Sequence, residues 1–231
     1  ASTPLIWKDS YLVQMSEASG STYRGYGFSA SSSNAIVTAG SITGNVGTGS
    51  LPPYWRFKNT AGTKSMFFGG EARFSRGKKG LFNFAVRWER NTNIRIYGGL
   101  TTMGASDTFF GSATSCATNS WSCILFRYDT GAGDTVWQLV TSTGGAQTVT
   151  SCASTPPTTS FTILQIDMTA LGTITLNELA ADGTKTQLCS ITSGNFPATT
   201  VGMATIVGSL DLNGVAVGTD IAYIGGVQNM Q

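Results

Sequence analysis

The sequence predicts an all-β fold, a sandwich of two antiparallel sheets with about twelve strands and an extended N-terminal segment. Three observations lead there. Apolar and polar residues alternate in short runs, and no window keeps the 3.6-residue period of a helix. Glycine, proline and Asx clusters punctuate the chain every roughly 8–15 residues. Residues 161–191 hold strands that return on each other around Asp182-Gly183, where Gly183 tolerates φ > 0 and Asp182 can bond its own backbone. In that unit Ile174 and Leu176 share one face, and a second layer must cover it.

Residues 1–34 are Ser/Gly-rich with Trp7, Tyr11, Tyr23, Tyr26 and Phe28, and read as an N-terminal arm or edge segment. Residues 35–231 read as the sandwich domain. Residues 35–39 are its first strand, and 41–53, rich in glycine and ending in Pro52-Pro53, a loop. Residues 54–58 alternate. Two runs at 65–68 and 71–74 flank Gly69-Gly70, a bend or bulge. A basic turn at 76–80 precedes the clearest strand, 81–88. There Phe82, Phe84, Val86 and Trp88 share one face, with Asn83 and Arg87 on the other. Strands follow at 94–97, 123–129, 135–140, 148–153, 161–168, 173–177, 186–191 and 201–207. The last, 219–224, places Ile221 and Tyr223 on one face.

Hydrophobic content of 41% is ample for a core, whereas charged residues make up only 11%, far below the usual level of about 25%. Such a composition suits secreted or virion surfaces. No apolar run reaches the roughly 18 residues of a membrane span. The opening residues carry no secretory-leader pattern, which leaves open whether a leader was removed. The chain has no histidine, so Ser-His-Asp and Cys-His catalysis are excluded and the commonest zinc ligand is missing. Residues 1–95 hold 12 Lys/Arg against 4 Asp/Glu, and residues 96–231 hold 2 against 8, so the halves carry +8 and −6. Opposite blocks of this kind complement each other either between subunits or within the folded domain.

Several residues are candidate sites. Cys116, Cys123, Cys152 and Cys189 lack zinc spacing. They allow three disulfide connectivities, of which Cys116–Cys123 with Cys152–Cys189 is preferred; buried free thiols are the alternative. Asp129 and Asp134 flank a glycine-containing turn as weak calcium candidates, although turn aspartates more often cap backbone groups. No other metal and no cofactor is expected. Trp121, Tyr54 and Trp55 offer flat faces for stacking on a sugar, against core or subunit burial as the plainer reading. The basic cluster Arg73, Arg76, Lys78, Lys79, Arg87, Arg90 and Arg95 suits a subunit contact, a nucleic-acid contact or a solvated face, with nucleic acid the less favoured partner.

Residues 80–226 resemble the concanavalin-A-like (laminin-G-like) jelly-roll domains of bacteriophage virion proteins. The resemblance lies in a strand ending Gln165-Ile166-Asp167, the short strand from Ile174, the Asp182-Gly183 turn, Phe196-Pro197, Val201-Gly202-Met203 and the closing Asp220-Ile221-Ala222-Tyr223-Ile224. It implies a non-enzymatic virion structural protein: a shell component, decoration protein or fibre domain. Such a protein sits on the particle surface, self-assembles as a trimer or larger, and contacts other virion proteins. The alternative is a lectin-like receptor-recognition module for a host surface glycan, in a fibre or a secreted adhesin. The fold family also includes glycan hydrolases with a Glu-x-Asp-x-x-Glu strand. Glu17, Glu71, Glu89 and Glu178 lie in no such arrangement, so no enzyme is expected.

Overall fold

The computed structural model describes residues 54–60, 64–68, 74–102 and 111–228, together with the backbone of four short strands before residue 46; the side chains of Trp55, Phe67 and Phe68 are outside the description. The strands are β1 (Met15–Ser16), β2 (Thr22–Gly25), β3 (Ala35–Val37), β4 (Gly40–Asn45), β5 (Tyr54–Asn59), β6 (Lys64–Phe68), β7 (Gly80–Trp88) and β8 (Ile94–Thr101). They continue with β9 (Ser122–Asp129), β10 (Gln138–Thr143), β11 (Gln147–Ser151), β12 (Thr162–Asp167), β13 (Ile174–Leu179), β14 (Lys185–Ile191), β15 (Ala204–Asp211) and β16 (Gly218–Gln228). All pairings are antiparallel. One sheet runs β1-β2-β3-β6-β15-β8-β9-β10-β11 and the other β14-β13-β12-β7-β16-β5-β4.

The sandwich predicted from the alternation is present, with more strands than the alternation counts. Residues 1–34 supply β1 and β2, at the edge of the nine-stranded sheet. Residues 40–45, within a stretch read as loop from residue 41, form β4 because they pair in full register with β5, Gly40 opposite Asn59 through Asn45 opposite Tyr54. Cross-strand pairing overrides weak local β preference there.

The two sheets enclose one core. Phe82, Phe84, Val86 and Trp88 of β7 face Ile124, Phe126 and Tyr128 of β9, with Trp137 at their centre. Trp137 lies 5.4 Å from both Trp88 and Phe126, edge on to each ring, the arrangement favoured by ring quadrupoles. Gly98 is required at this core: a Cβ there would stand 2.0 Å from the Phe126 ring. A second, smaller cluster covers the outer face of the nine-stranded sheet. Met66, Tyr97, Cys123, Leu125, Val140 and Ile206 meet Cys116 from the one-turn helix α1 (Ser115–Thr118), and Trp121 packs against them.

Disulfides join Cys116 to Cys123 and Cys152 to Cys189, the preferred connectivity, with Cα–Cα distances of 6.2 and 4.7 Å. The first pins α1 onto β9. The second links the residue after β11, at one edge of the nine-stranded sheet, to β14, at one edge of the seven-stranded sheet. It closes one side of the sandwich.

One expectation about the last strand is overturned. Ile221 and Tyr223 do not share a face. The register of β16 against β7 shifts between Ile221 and Tyr223, so Ile221 pairs with core-facing Val86 and Tyr223 with outward Ala85. A β-bulge at Ala222 inserts one extra residue and inverts the alternation beyond it.

Candidate functional site

The outward face of the seven-stranded sheet collects the side chains left over once the core is filled. Cross-strand pairing sorts them into rows. Arg56, Asp220 and Arg87 make the first. Tyr223, Ala85 and Ile163 make the second, and Gly225, Asn83, Gln165 and Asn177 the third. Val227, Leu81, Asp167 and Thr175 make the fourth. Ala85, Gln165 and Asn177 are only 3, 7 and 0% exposed although they point away from the core. Tyr223, Ile163, Asn83 and Leu81 around them are half-buried. The face is therefore recessed along its middle.

The first row is an ion network. Asp220 is fully buried and accepts Arg56 Nε at 2.7 Å, Arg56 Nη2 at 2.8 Å and Arg87 Nε at 2.9 Å. Arg56 Nη1 reaches Glu89 at 2.7 Å, and Glu89 also accepts the Gly218 amide and pairs with Lys58. The Arg56–Asp220 hydrogen bond raises the guanidinium pKa above its already high ordinary value, against the opposing effect of burial. The rings of Tyr54 and Phe161 lie 5.5 Å apart and each sits 5.1 Å from the Arg87 guanidinium. Two aromatic faces thus cap the buried charge, a cation–π arrangement.

The third row is an amide ladder. Gln165 Nε2 donates to Asn83 Oδ1 at 2.9 Å, and Asn177 Nδ2 donates to Gln165 Oε1 at 3.4 Å. Gln165 both donates and accepts within the ladder, while Asn83 accepts through its oxygen and Asn177 donates through its nitrogen. Burial raises the pKa of Tyr223 above the ordinary phenol value. In the fourth row burial alone would raise the pKa of Asp167. Hydrogen bonds from Lys185 Nζ and from the Thr169 hydroxyl and backbone N–H outweigh it and hold the carboxyl below its ordinary 3.8.

The candidate residues do not converge. Tyr54 belongs to the recessed face. Trp121 packs on the opposite sheet, and the Trp55 side chain is outside the described residues. Asp129 and Asp134, the weak calcium candidates, are both engaged by donors of this chain. Asp129 accepts Arg95 Nε at 2.6 Å and caps the Gly131 and Ala132 amides, while Asp134 accepts Arg127 Nε at 2.9 Å and the Asp129 amide. Their lone pairs are committed to guanidinium and backbone donors. Among the described residues no group of three or more Asp, Glu, Cys or His is placed to hold a metal.

The basic cluster is dispersed as well. Arg87 pairs with Asp220, Arg90 with Asp211 and Arg95 with Asp129. The +8 and −6 halves thus meet inside one chain through these three pairs. Arg76 donates to the Pro197 carbonyl at 3.0 Å and to the Leu171 carbonyl, and stacks on Phe196. Lys78 and Lys79 stand on the turn before β7, and Arg73 is outside the described residues. Sequence reasoning missed Gln165, Asn177, Phe161 and Asp220 as site residues. The only signal for the first two was two-residue spacing opposite core positions, at Gln165 between Leu164 and Ile166 and at Asn177 after Leu176.

No family model matches the chain, and no curated protein matches its sequence. Solved structures do match its fold. A legume lectin-like domain from Entamoeba histolytica superposes with a TM-score of 0.58 at 10% identity, covering 85% of this chain and 91% of that one. The chain thus shares the β-sandwich fold of that domain. The carbohydrate recognition domain of Emp46p, in a potassium-bound form, matches with a TM-score of 0.54 at 7% identity over 82% of this chain and 88% of its own. The exoplasmic/lumenal domain of VIP36, bound to Ca²⁺ and Man3GlcNAc, matches with a TM-score of 0.54 at 13% identity over 83% of each chain.

Proposed function

We propose that this chain is a carbohydrate-recognition domain that binds glycan on the outward face of its seven-stranded sheet and performs no catalysis. The observation that carries the reading is the Asn83–Gln165–Asn177 amide ladder along a recessed face. Asn83 is the half-buried amide of the ladder that a ligand can reach, and Gln165 and Asn177, buried beneath the face, hold it in fixed orientation toward a sugar hydroxyl. The likeness of the fold to structures named as lectin-like and carbohydrate-recognition domains adds support by analogy of fold. The two glutamates within the description serve other ends: Glu89 holds Arg56 and Lys58, and Glu178 accepts the Thr162 hydroxyl at 2.8 Å.

Assembly through complementary charge, the route by which a virion building block was expected to associate, finds less support. Arg87, Arg90 and Arg95 are paired with carboxylates of their own chain.

The test is an oligosaccharide array probed with the whole chain, followed by calorimetric titration of the strongest hit into wild type and Gln165→Ala. Saturable binding by wild type that is lost in Gln165→Ala, with the melting temperature recorded for both, supports the reading. An array on which wild type binds nothing defeats it.

A further inference from the structure

Gly225 stands in the interior of β16, an eleven-residue strand, where glycine has an entropic cost and contributes no packing. The backbone does not require it, since Gly225 is absent from the residues with positive φ. Packing does not require it either. A Cβ at Gly225 would meet no atom within 4 Å, whereas at the next residue, Gly226, it would stand 2.5 Å from the Phe82 ring. Gly226 is a glycine because the core leaves no room. Gly225 points into open space on the opposite face, and an interior strand glycine of that kind marks a place where something approaches the backbone closely.

The surroundings define the visitor. Tyr223 and Val227 flank Gly225 along β16, and Asn83 and Leu81 stand opposite Gly225 and Val227 on β7. Tyr223 is on this face only because of the bulge at Ala222. Among the described residues β5 pairs with β16 only over 218–221, so no paired strand walls the far side of β16 beyond the bulge. Asn83 Oδ1 already accepts Gln165, which leaves its amide nitrogen to donate. The groove itself is built from uncharged side chains. The nearest charges on the face are engaged with each other, Lys185 with Asp167 at 2.7 Å and Arg87 with Asp220. We propose that this groove over Gly225 seats one ring of an uncharged sugar, its apolar face on Tyr223 and Val227 and a hydroxyl on the Asn83 amide. The proposal rests on the glycan-binding reading above and assigns it a ring position and a ligand class.

The experiment uses the full chain with Gly225→Leu, Tyr223→Ala and Gly225→Ala. The probes are uncharged glucose-, mannose- and galactose-based oligosaccharides and their uronate- or sialate-bearing counterparts. Gly225→Leu fills free space, so its melting temperature is expected to match wild type. Uncharged oligosaccharide is expected to bind wild type, and at least about tenfold more weakly when leucine occupies the groove or the Tyr223 ring is removed. Gly225→Ala, adding a single methyl, loses less than Gly225→Leu. Undiminished binding of the uncharged probe by both Gly225→Leu and Tyr223→Ala overturns the groove while leaving glycan binding in place. Binding of the acidic probes alone overturns the ligand class. Binding of no probe by wild type removes the glycan reading itself, and the groove with it.

Discussion

Asp220 and Arg87 face each other across β16 and β7, 133 residues apart in the chain, and the same carboxylate also holds Arg56. One fully buried acid thereby compensates two guanidiniums under a cap of two aromatic rings. The arrangement ties three adjacent strands, β5, β16 and β7, at one end of the recessed face.

Removing that acid leaves the Arg87 guanidinium, 11% exposed, without its carboxylate and Arg56 with Glu89 alone. Asp220→Ala is expected to destabilise by about 3–5 kcal/mol, the usual result of breaking a buried pair from one side. Urea unfolding measures it. A loss within 1 kcal/mol of zero, an order-of-magnitude threshold, would mean that water reaches the network and that it behaves as a surface ion pair. Arg87→Met is expected to cost less than Asp220→Ala, because Arg56 remains to neutralise the acid.

The two disulfides are expected to contribute unequally. By the loop-entropy relation, the bridge closing a separation of 37 residues stabilises by about 4 kcal/mol, and the one closing 7 residues by about 2 kcal/mol. The paired variants Cys152→Ala/Cys189→Ala and Cys116→Ala/Cys123→Ala, compared by denaturant midpoint at equal slope, test the ranking. The longer bridge also holds two sheet edges together. Its loss should therefore raise hydrogen exchange in β11 and β14 ahead of the core strands. Uniform exchange across both sheets would contradict that assignment.

Acid stability is expected to carry the signature of Asp167. Its folded pKa lies below the ordinary 3.8 because Lys185 and Thr169 donate to the ionised form. A depressed carboxyl pKa contributes stability that is fully present above the unfolded value and lost as pH falls through the folded value. Lys185 is 46% exposed, so solvent screening limits the contribution to about 0.5–1 kcal/mol. Thermal melts of wild type and Asp167→Asn at a series of pH values are the check. The gap between the two should narrow as pH drops below 3.8. A constant gap would place the effect in packing instead of ionisation.

Much of the sandwich was legible in the sequence because a strand buried on one face records its orientation in every second residue. Residues 82–88 display this directly, and the core contains each of the four side chains the alternation nominated. The Asp182-Gly183 turn was legible for a similar local reason: Gly183 has φ of 85° and Asp182 accepts the Thr184 amide at 2.8 Å. The candidate site was far less legible. Gln165 and Asn177 looked like ordinary polar positions on half-buried strands. Alternation sets Tyr223 on the wrong face because a single-residue bulge leaves no mark in the six-residue run 219–224.

By itself the sequence determined the all-β class, the inward face of most strands, the absence of histidine chemistry and a small, unequally distributed set of charges. These are properties of composition and of near neighbours, which a chain carries before it folds. Only the tertiary structure decided which charges meet. Arg56, Arg87 and Asp220, or Asn83, Gln165 and Asn177, come from strands adjacent in the sheet but scattered in sequence. Cross-strand register, and the bulge that shifts it, set whether such residues form a surface, a buried pair or a groove. That register is a long-range outcome of packing both sheets around one core, which no local spacing encodes.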